Sequence, residues 1–239
     1  MTLLQVDQLT KSFSGLRAVS DVDVTVGDGE FLGIIGPNGA GKTTLFSLLS
    51  GQIAPTGGRV VFDGQDITGW PAARVASAGL VRTFQLMRPF ESMSVLENVA
   101  VAAHHRHRSR RDARRHALEV IERVRLADYV HTPSASLPTA GLKRLELARA
   151  LALEPRLLLL DEVLAGLVPA ERAPIIDLLR EIHADGVTVM FVEHIMAAVM
   201  ALSERLLVMA EGRELALGDP QEVVRDPRVV EAYLGEDYS

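Results

Sequence analysis

The nine residues "GPNGAGKTT", Gly36 to Thr44, fit the pattern G-x-x-x-x-G-K-[ST]. They follow "FLGIIG" (Phe31 to Gly36), a continuous apolar run that suits a strand covered on both faces. They open "TTLFSLLSG", which reads as a helix ending at Gly51. Strand, glycine-rich loop and helix form the setting in which this pattern holds phosphate. The glycines let the backbone wrap closely, and the N–H groups at the helix start face the anion. Gly36, Pro37, Asn38, Gly39, Ala40, Gly41, Lys42, Thr43 and Thr44 are therefore candidate nucleotide-binding residues. Lys42 would reach the β- and γ-phosphates, and Thr43 would ligate Mg²⁺.

Working outward, "VSDVDVTV" (Val19 to Val26) alternates with period two, as a half-buried strand does. "GRVVFDGQDI" is a second strand with an Asp-Gly turn. "RLLLLDE", "VTVMFVEH" and "RLLVMAEG" are short buried-strand candidates, separated by helical stretches such as "AERAPIIDLLREIHADG". This alternation implies a mainly parallel α/β sheet. From about Ser94 to Leu153 no strand is evident. There, "RRDARRHALEVIERVRLADYV" and "LKRLELARALAL" have helical spacing. The expected organisation is one domain over 1–239: an α/β core from 1–88 and 154–239, with a helical subdomain, 89–153, inserted into it. "RLLLLDE" also puts Asp161 and Glu162 at the carboxyl end of an apolar strand, where open parallel sheets bind ligands. Asp161 could hold the Mg²⁺ shell, and Glu162 could orient or deprotonate a water for attack on the γ-phosphate.

Composition bounds the alternatives. The chain has 239 residues, 48% of them apolar, enough for a sizeable core. It contains no cysteine, which removes disulfides, thiolate metal sites and cysteine nucleophiles. "MTLLQVDQLTKSFSG" lacks the basic-then-apolar pattern of a secretory signal. No apolar run reaches the length of a membrane span, about 18 residues or more. The formal charge of −6 argues against general nucleic-acid binding. A soluble cytoplasmic protein is expected.

Across essentially its whole length the chain resembles the ATP-binding subunits of ABC transporters. The resemblance implies a RecA-like P-loop NTPase core with an N-terminal antiparallel β part and an inserted helical subdomain. Gln85 in "RTFQ" matches the Q-loop glutamine, which links the metal and attacking water to the helical subdomain. His194 in "FVEH" matches the switch histidine, which contacts the γ-phosphate. Phe13 in "KSFSGLRAV" sits where an aromatic stacks on adenine. "GLVRTFQLMRPFESMSVLENVAVA" and the ending "VVEAYLGE" are similar to the ATPases of branched-chain amino-acid importers. Such a subunit would use ATP and Mg²⁺ and sit peripherally on the cytoplasmic face of the membrane. Its partners would be permeases and a second ATPase subunit, as heterodimer or homodimer. A solute-binding protein would be an indirect partner, and nucleic acid none. Two other readings stay open: a soluble ABC ATPase not tied to transport, and a weakly hydrolysing regulatory subunit.

In "SASLPTAGLKRLELARAL" (Ser134 to Leu151) the resemblance puts the signature loop, which serves the partner's ATP. Counting back from "ARAL", Leu137 is its leucine, Pro138 replaces its serine, Thr139 and Ala140 replace its glycines, and Gly141 replaces its glutamine. If the backbone at Ala140 has positive φ, its Cβ strains the loop. Val168 in "LAGLV" stands where the D-loop carries Asp or Asn. "HHRHRSRRDARRH", His104 to His116, holds four of the seven histidines and reads as a solvated basic face. No carboxylate or cysteine partner accompanies those histidines, so no metal site is expected there. "HIMAAVMALSERLLVM" reads as methionine-rich core.

Overall fold

The computed structural model describes residues 1–83 and 89–234. In chain order, β1 (Thr2–Phe13) and β2 (Leu16–Gly27) form a hairpin, and β3 (Phe31–Ile35) leads into α1 (Lys42–Leu49). A second hairpin, β4 (Gly57–Phe62) and β5 (Gln65–Asp66), precedes α2 (Ala72–Ala78) and β6 (Leu80–Arg82). Three helices follow: α3 (Val95–Ala103), α4 (Arg110–Arg123) and α5 (Thr139–Leu151). The chain then runs through β7 (Leu157–Asp161), α6 (Pro169–Ala184), β8 (Thr188–Val192), α7 (Met196–Leu202), β9 (Arg205–Ala210) and β10 (Arg213–Gly218). It closes with α8 (Pro220–Val223) and α9 (Pro227–Leu234).

Two sheets result. One has the order β2-β1-β4-β5 and is antiparallel. Both of its hairpin turns, Ser14-Gly15 and Asp63-Gly64, have positive φ at each residue, as the twist of tight hairpins favours. The other sheet has the order β10-β9-β3-β8-β7-β6, parallel except for β10 at its edge. Its central strands β3, β7 and β8 are buried along their entire length, as both-face coverage requires.

Side-chain alternation splits the core in two. Phe31, Leu158, Leu160, Phe191 and Val208 face one cluster with the apolar sides of α3 to α7. Leu32, Ile34, Leu157, Met190 and Met209 face a second, with α1 and the antiparallel sheet. The parallel sheet is thus the middle layer of a three-layer molecule.

Three strands escape the sequence patterns. β1 has register shifts around Val6 and Leu9 and a left-handed Gln8, which break its alternation. β6 has only three residues, and β10 is a half-exposed edge.

Two expectations need correction. Met196 and Met200 are exposed on α7, while Ala198, Val199 and Leu202 face the core. The basic run is not solely a solvated face: His107 and His116 turn inward, beside Glu154 from the turn after α5. That carboxylate lies far along the chain, so the run alone does not reveal it.

Candidate functional site

The site lies where β3, β7 and β8 end level. Ile34 pairs with Val192, and Val192 pairs with Asp161. Asp161 is therefore two strand spacings, about 10 Å, from the strand that feeds the glycine-rich loop. The acidic pair, the residues after β8 and the loop share one sheet edge.

The loop runs from Gly36 to Gly41 and passes into α1. Gly36 is required by close approach: a Cβ there would sit 2.1 Å from the Met209 carbonyl oxygen. Gly41 has φ +98°, and its Cβ would meet the Ala18 carbonyl oxygen at 2.4 Å. A further brace comes from the β9–β10 turn. Gly212 N–H donates to the Ala40 carbonyl at 3.1 Å, and Ser20 N–H donates to the Gly212 carbonyl at 2.8 Å. Within the loop, Lys42 is buried and its Nζ donates to the carbonyls of Gly36 (2.5 Å) and Pro37 (2.8 Å). Pro37 and Thr44 are half-buried and Ala40 is buried, whereas Asn38, Gly39 and Thr43 face outward at the mouth. Phe13 is exposed at the tip of β1, with Lys11 Nζ 5.1 Å from its ring centroid.

Asp161 and Glu162 differ sharply in setting. Asp161 is buried, and its Oδ2 accepts from Arg82 Nη2 at 2.6 Å. Its Oδ1 is buried too and has no hydrogen-bond partner among the described residues. An orphaned carboxylate oxygen at the sheet edge that also bears the phosphate loop fits a hard divalent cation. Glu162 is left-handed at φ +49°, and its N–H donates to the Val192 carbonyl at 3.0 Å. This backbone conformation is sparsely populated for a non-glycine residue and occurs disproportionately at functional positions. Glu162 Oε1 meets His194 Nε2 at 2.9 Å, so the two residues singled out by sequence touch. Gln85 lies outside the described residues.

Three residues that sequence reasoning did not single out support this pair. Arg82 anchors Asp161, and its Nη1 also donates to Ser47 Oγ at 2.9 Å. Glu193 is buried; it accepts from Leu164 N–H at 2.8 Å and His194 N–H at 3.3 Å. Burial pushes its carboxyl above the usual range; the N–H of Leu164 and the N–H of His194 oppose this, and the negative charge of Glu162 adds to it. Lys143 of α5 is also buried and donates from Nζ to the Glu162 carbonyl at 3.2 Å. Apart from the bond between the neighbours Glu193 and His194, these contacts join residues distant in sequence, so no local pattern announces them.

Leu137 is buried and Pro138 is extended, immediately before α5. Thr139, Ala140 and Gly141 form its first turn, with no side-chain cap on their N–H groups. Ala140 is not among the positive-φ residues, so the strain considered from sequence does not arise. Val168 is exposed before α6.

A layered α/β core with a glycine-rich phosphate loop, an acidic strand end and a helical insertion defines a nucleotide-hydrolysing P-loop protein. The chain belongs to the ABC transporter family, whose model matches residues 19–165, and is its ATP-binding ATPase component. Residues 213–239 match a second model, described as branched-chain amino acid ATP-binding cassette transporter. The chain is 39% identical to the high-affinity branched-chain amino acid transport ATP-binding protein BraF of Pseudomonas aeruginosa, over 98% of each chain. It is 37% identical to LivG of Escherichia coli strain K12, which bears the same description, again over 98% of each. A solved nucleotide-free ATP-binding cassette from an ABC transporter superposes with a TM-score of 0.89 at 30% identity, covering 98% of this chain and 99% of that one. Among the described residues no helix is long and apolar enough to cross a membrane.

Proposed function

We propose that this chain hydrolyses ATP to drive uptake of branched-chain amino acids or related small solutes through a membrane permease. The observation that carries the proposal is the Glu162–His194 contact at the sheet edge that also bears the phosphate loop. Gly36 to Thr44 would wrap the phosphates, with Lys42 turning from its loop carbonyls to the β- and γ-phosphates, while Phe13 would stack on adenine. Glu162 would orient the attacking water and accept its proton, and His194 would hold Glu162 in place and contact the γ-phosphate. Thr43 and Asp161 would hold Mg²⁺, with Gln85 as a further ligand by resemblance. Bound there, the metal would supply positive charge against the charge developing on the β- and γ-oxygens.

The chain would work at the cytoplasmic face of the membrane, beside two permeases and a second ATPase, supplied with solute by a binding protein. Residues 213–239 support the amino-acid reading, because that ending matches the branched-chain transporter model. ATP would draw two ATPases together, and hydrolysis would let them part. The permease would follow as a population shift set by differential affinity for ATP and ADP. Glu162→Gln keeps the shape but removes the basic carboxylate. The expected outcome is retained ATP binding with turnover reduced by about 10²-fold or more, measured by filter binding and phosphate release. Near-normal steady-state hydrolysis would overturn the assignment of Glu162.

A further inference from the structure

Outside the nucleotide site, one cluster of metal-ligating side chains stands out among the described residues. His107, from the turn after α3, His116 of α4 and Glu154, between α5 and β7, bring one ligand atom each within 4.8 Å of one another. Glu154 Oε1 is 3.3 Å from His107 Nε2 and 3.8 Å from His116 Nε2. Both Nε2 atoms are buried, and neither has a hydrogen-bond partner among the described residues. The His107 contact approaches hydrogen-bond distance without making the bond, and the His116 contact is too long for one. Two buried imidazole nitrogens that converge on one carboxylate oxygen without bonding it lack the usual satisfaction of buried polar groups.

A bound cation supplies that satisfaction. Tetrahedral zinc with bonds of about 2.0–2.2 Å separates its ligand atoms by about 3.4 Å, close to the two separations found. The imidazole rings lie 4.7 Å apart and tilted at 51°, rather than stacked face to face. His116 Nδ1 lies 3.8 Å from Glu119 Oε2, where a second carboxylate can orient the ring. Two arginines of the run are occupied elsewhere. Arg106 donates to the carbonyls of Leu153 (2.7 Å) and Ser77 (3.0 Å), and Arg115 pairs with Asp112 and Glu119. Glu154 is half exposed, which leaves an entry path and room for a water as fourth ligand. Its backbone is left-handed, at φ +51°, in the turn that ends α5.

We infer that His107, His116 and Glu154 form a binding site for a divalent cation of the zinc class. Its ligands come from three places around the helical insertion. One is the turn leading into β7, so an occupied site fastens α4 to the base of the parallel sheet. His104 and His105 take no part: His105 Nε2 is spent on Ser77 Oγ at 2.8 Å, and His104 faces solvent.

The test uses the untagged full chain, stripped with chelator and titrated with ZnCl₂ in a calorimeter without nucleotide. We expect one equivalent of Zn²⁺ with micromolar or tighter affinity, and a raised melting temperature. His116→Ala, His107→Ala and Glu154→Gln each lower the affinity by about tenfold or more, whereas His104→Ala/His105→Ala leaves it unchanged. X-ray absorption on the loaded wild-type chain should show two imidazole nitrogens and light oxygen ligands, a readout that does not depend on any variant folding. Three outcomes would overturn the site: no binding at 100-fold molar excess, equal affinity in wild type and His116→Ala, or loss of binding confined to the His104/His105 variant.

Discussion

Glu193 and Arg82 touch no reacting group in the proposed chemistry, yet each sets the position of one that does. Glu193 ties the N–H of His194 to that of Leu164, so the segment after β8 and the segment after β7 share one carboxylate. Burial raises the carboxyl above its ordinary value of 4.5, with Glu162 and His194 as the titratable groups facing it. The sign follows from proton counting. Above pH 4.5 the unfolded chain has released this proton while the folded chain still holds it, so stability falls as pH rises through the folded value. Glu193→Gln cannot titrate. Its urea midpoint should therefore fall less than that of wild type between pH 4.5 and 7, measured by circular dichroism; parallel curves would contradict this. At this scale the sequence spoke through motifs. Lys42, Asp161 and Glu162 stood out through spacing and a strand end, and His194 through the resemblance. Arg82, Glu193 and Lys143 were not, because burial and long-range partners define their roles.

Helix α5 is the element whose opening the sequence made doubtful. Its first turn offers uncapped N–H groups from ordinary helical backbone, so Ala140 costs nothing in conformation. By the resemblance, Pro138 stands where the signature loop has its serine, so that hydroxyl is absent. A helix N-terminus still attracts phosphate through its N–H groups and dipole. Losing one charge-assisted hydrogen bond to phosphate costs about 1.5–3 kcal/mol, roughly a 10- to 150-fold slower step. In a complex with a second ATPase, the ATP facing Pro138 to Gly141 should turn over more slowly than the ATP held by this chain. Glu162→Gln here should then remove most activity, and the matching change in the partner should remove little. The reverse pattern in the reconstituted complex would refute the asymmetry. The longer helices α4 to α6 were readable from their helical spacing and the buried strands from their apolar runs. β1 was not, since its bulges interrupt alternation; β6 was too short, and β10 is a half-exposed edge.

At the scale of the whole molecule, the layered core supplies a phosphate loop, an acidic pair and a histidine at one edge, but no signature residues facing its own loop by resemblance. The isolated chain should be a monomer at micromolar concentration in sedimentation and should hydrolyse ATP slowly. A tight homodimer without ATP would contradict that. The mainly parallel sheet was legible from alternating strand and helix, and the antiparallel part only through the resemblance. The convergence of His107, His116 and Glu154 was not, because only the packed chain brings them together. One last consequence belongs to the clasp on the phosphate loop, where the Gly212 turn and the carbonyls of Ala18 and Met209 grip Gly36 to Gly41. A loop shaped by its neighbours gives up its freedom during folding, so little ordering remains for the moment of encounter. ATP and ADP should then arrive at the same rate and differ only in residence time, which stopped-flow fluorescence with labelled nucleotides can read. On that view, selectivity between fuel and spent fuel is a matter of departure rather than arrival.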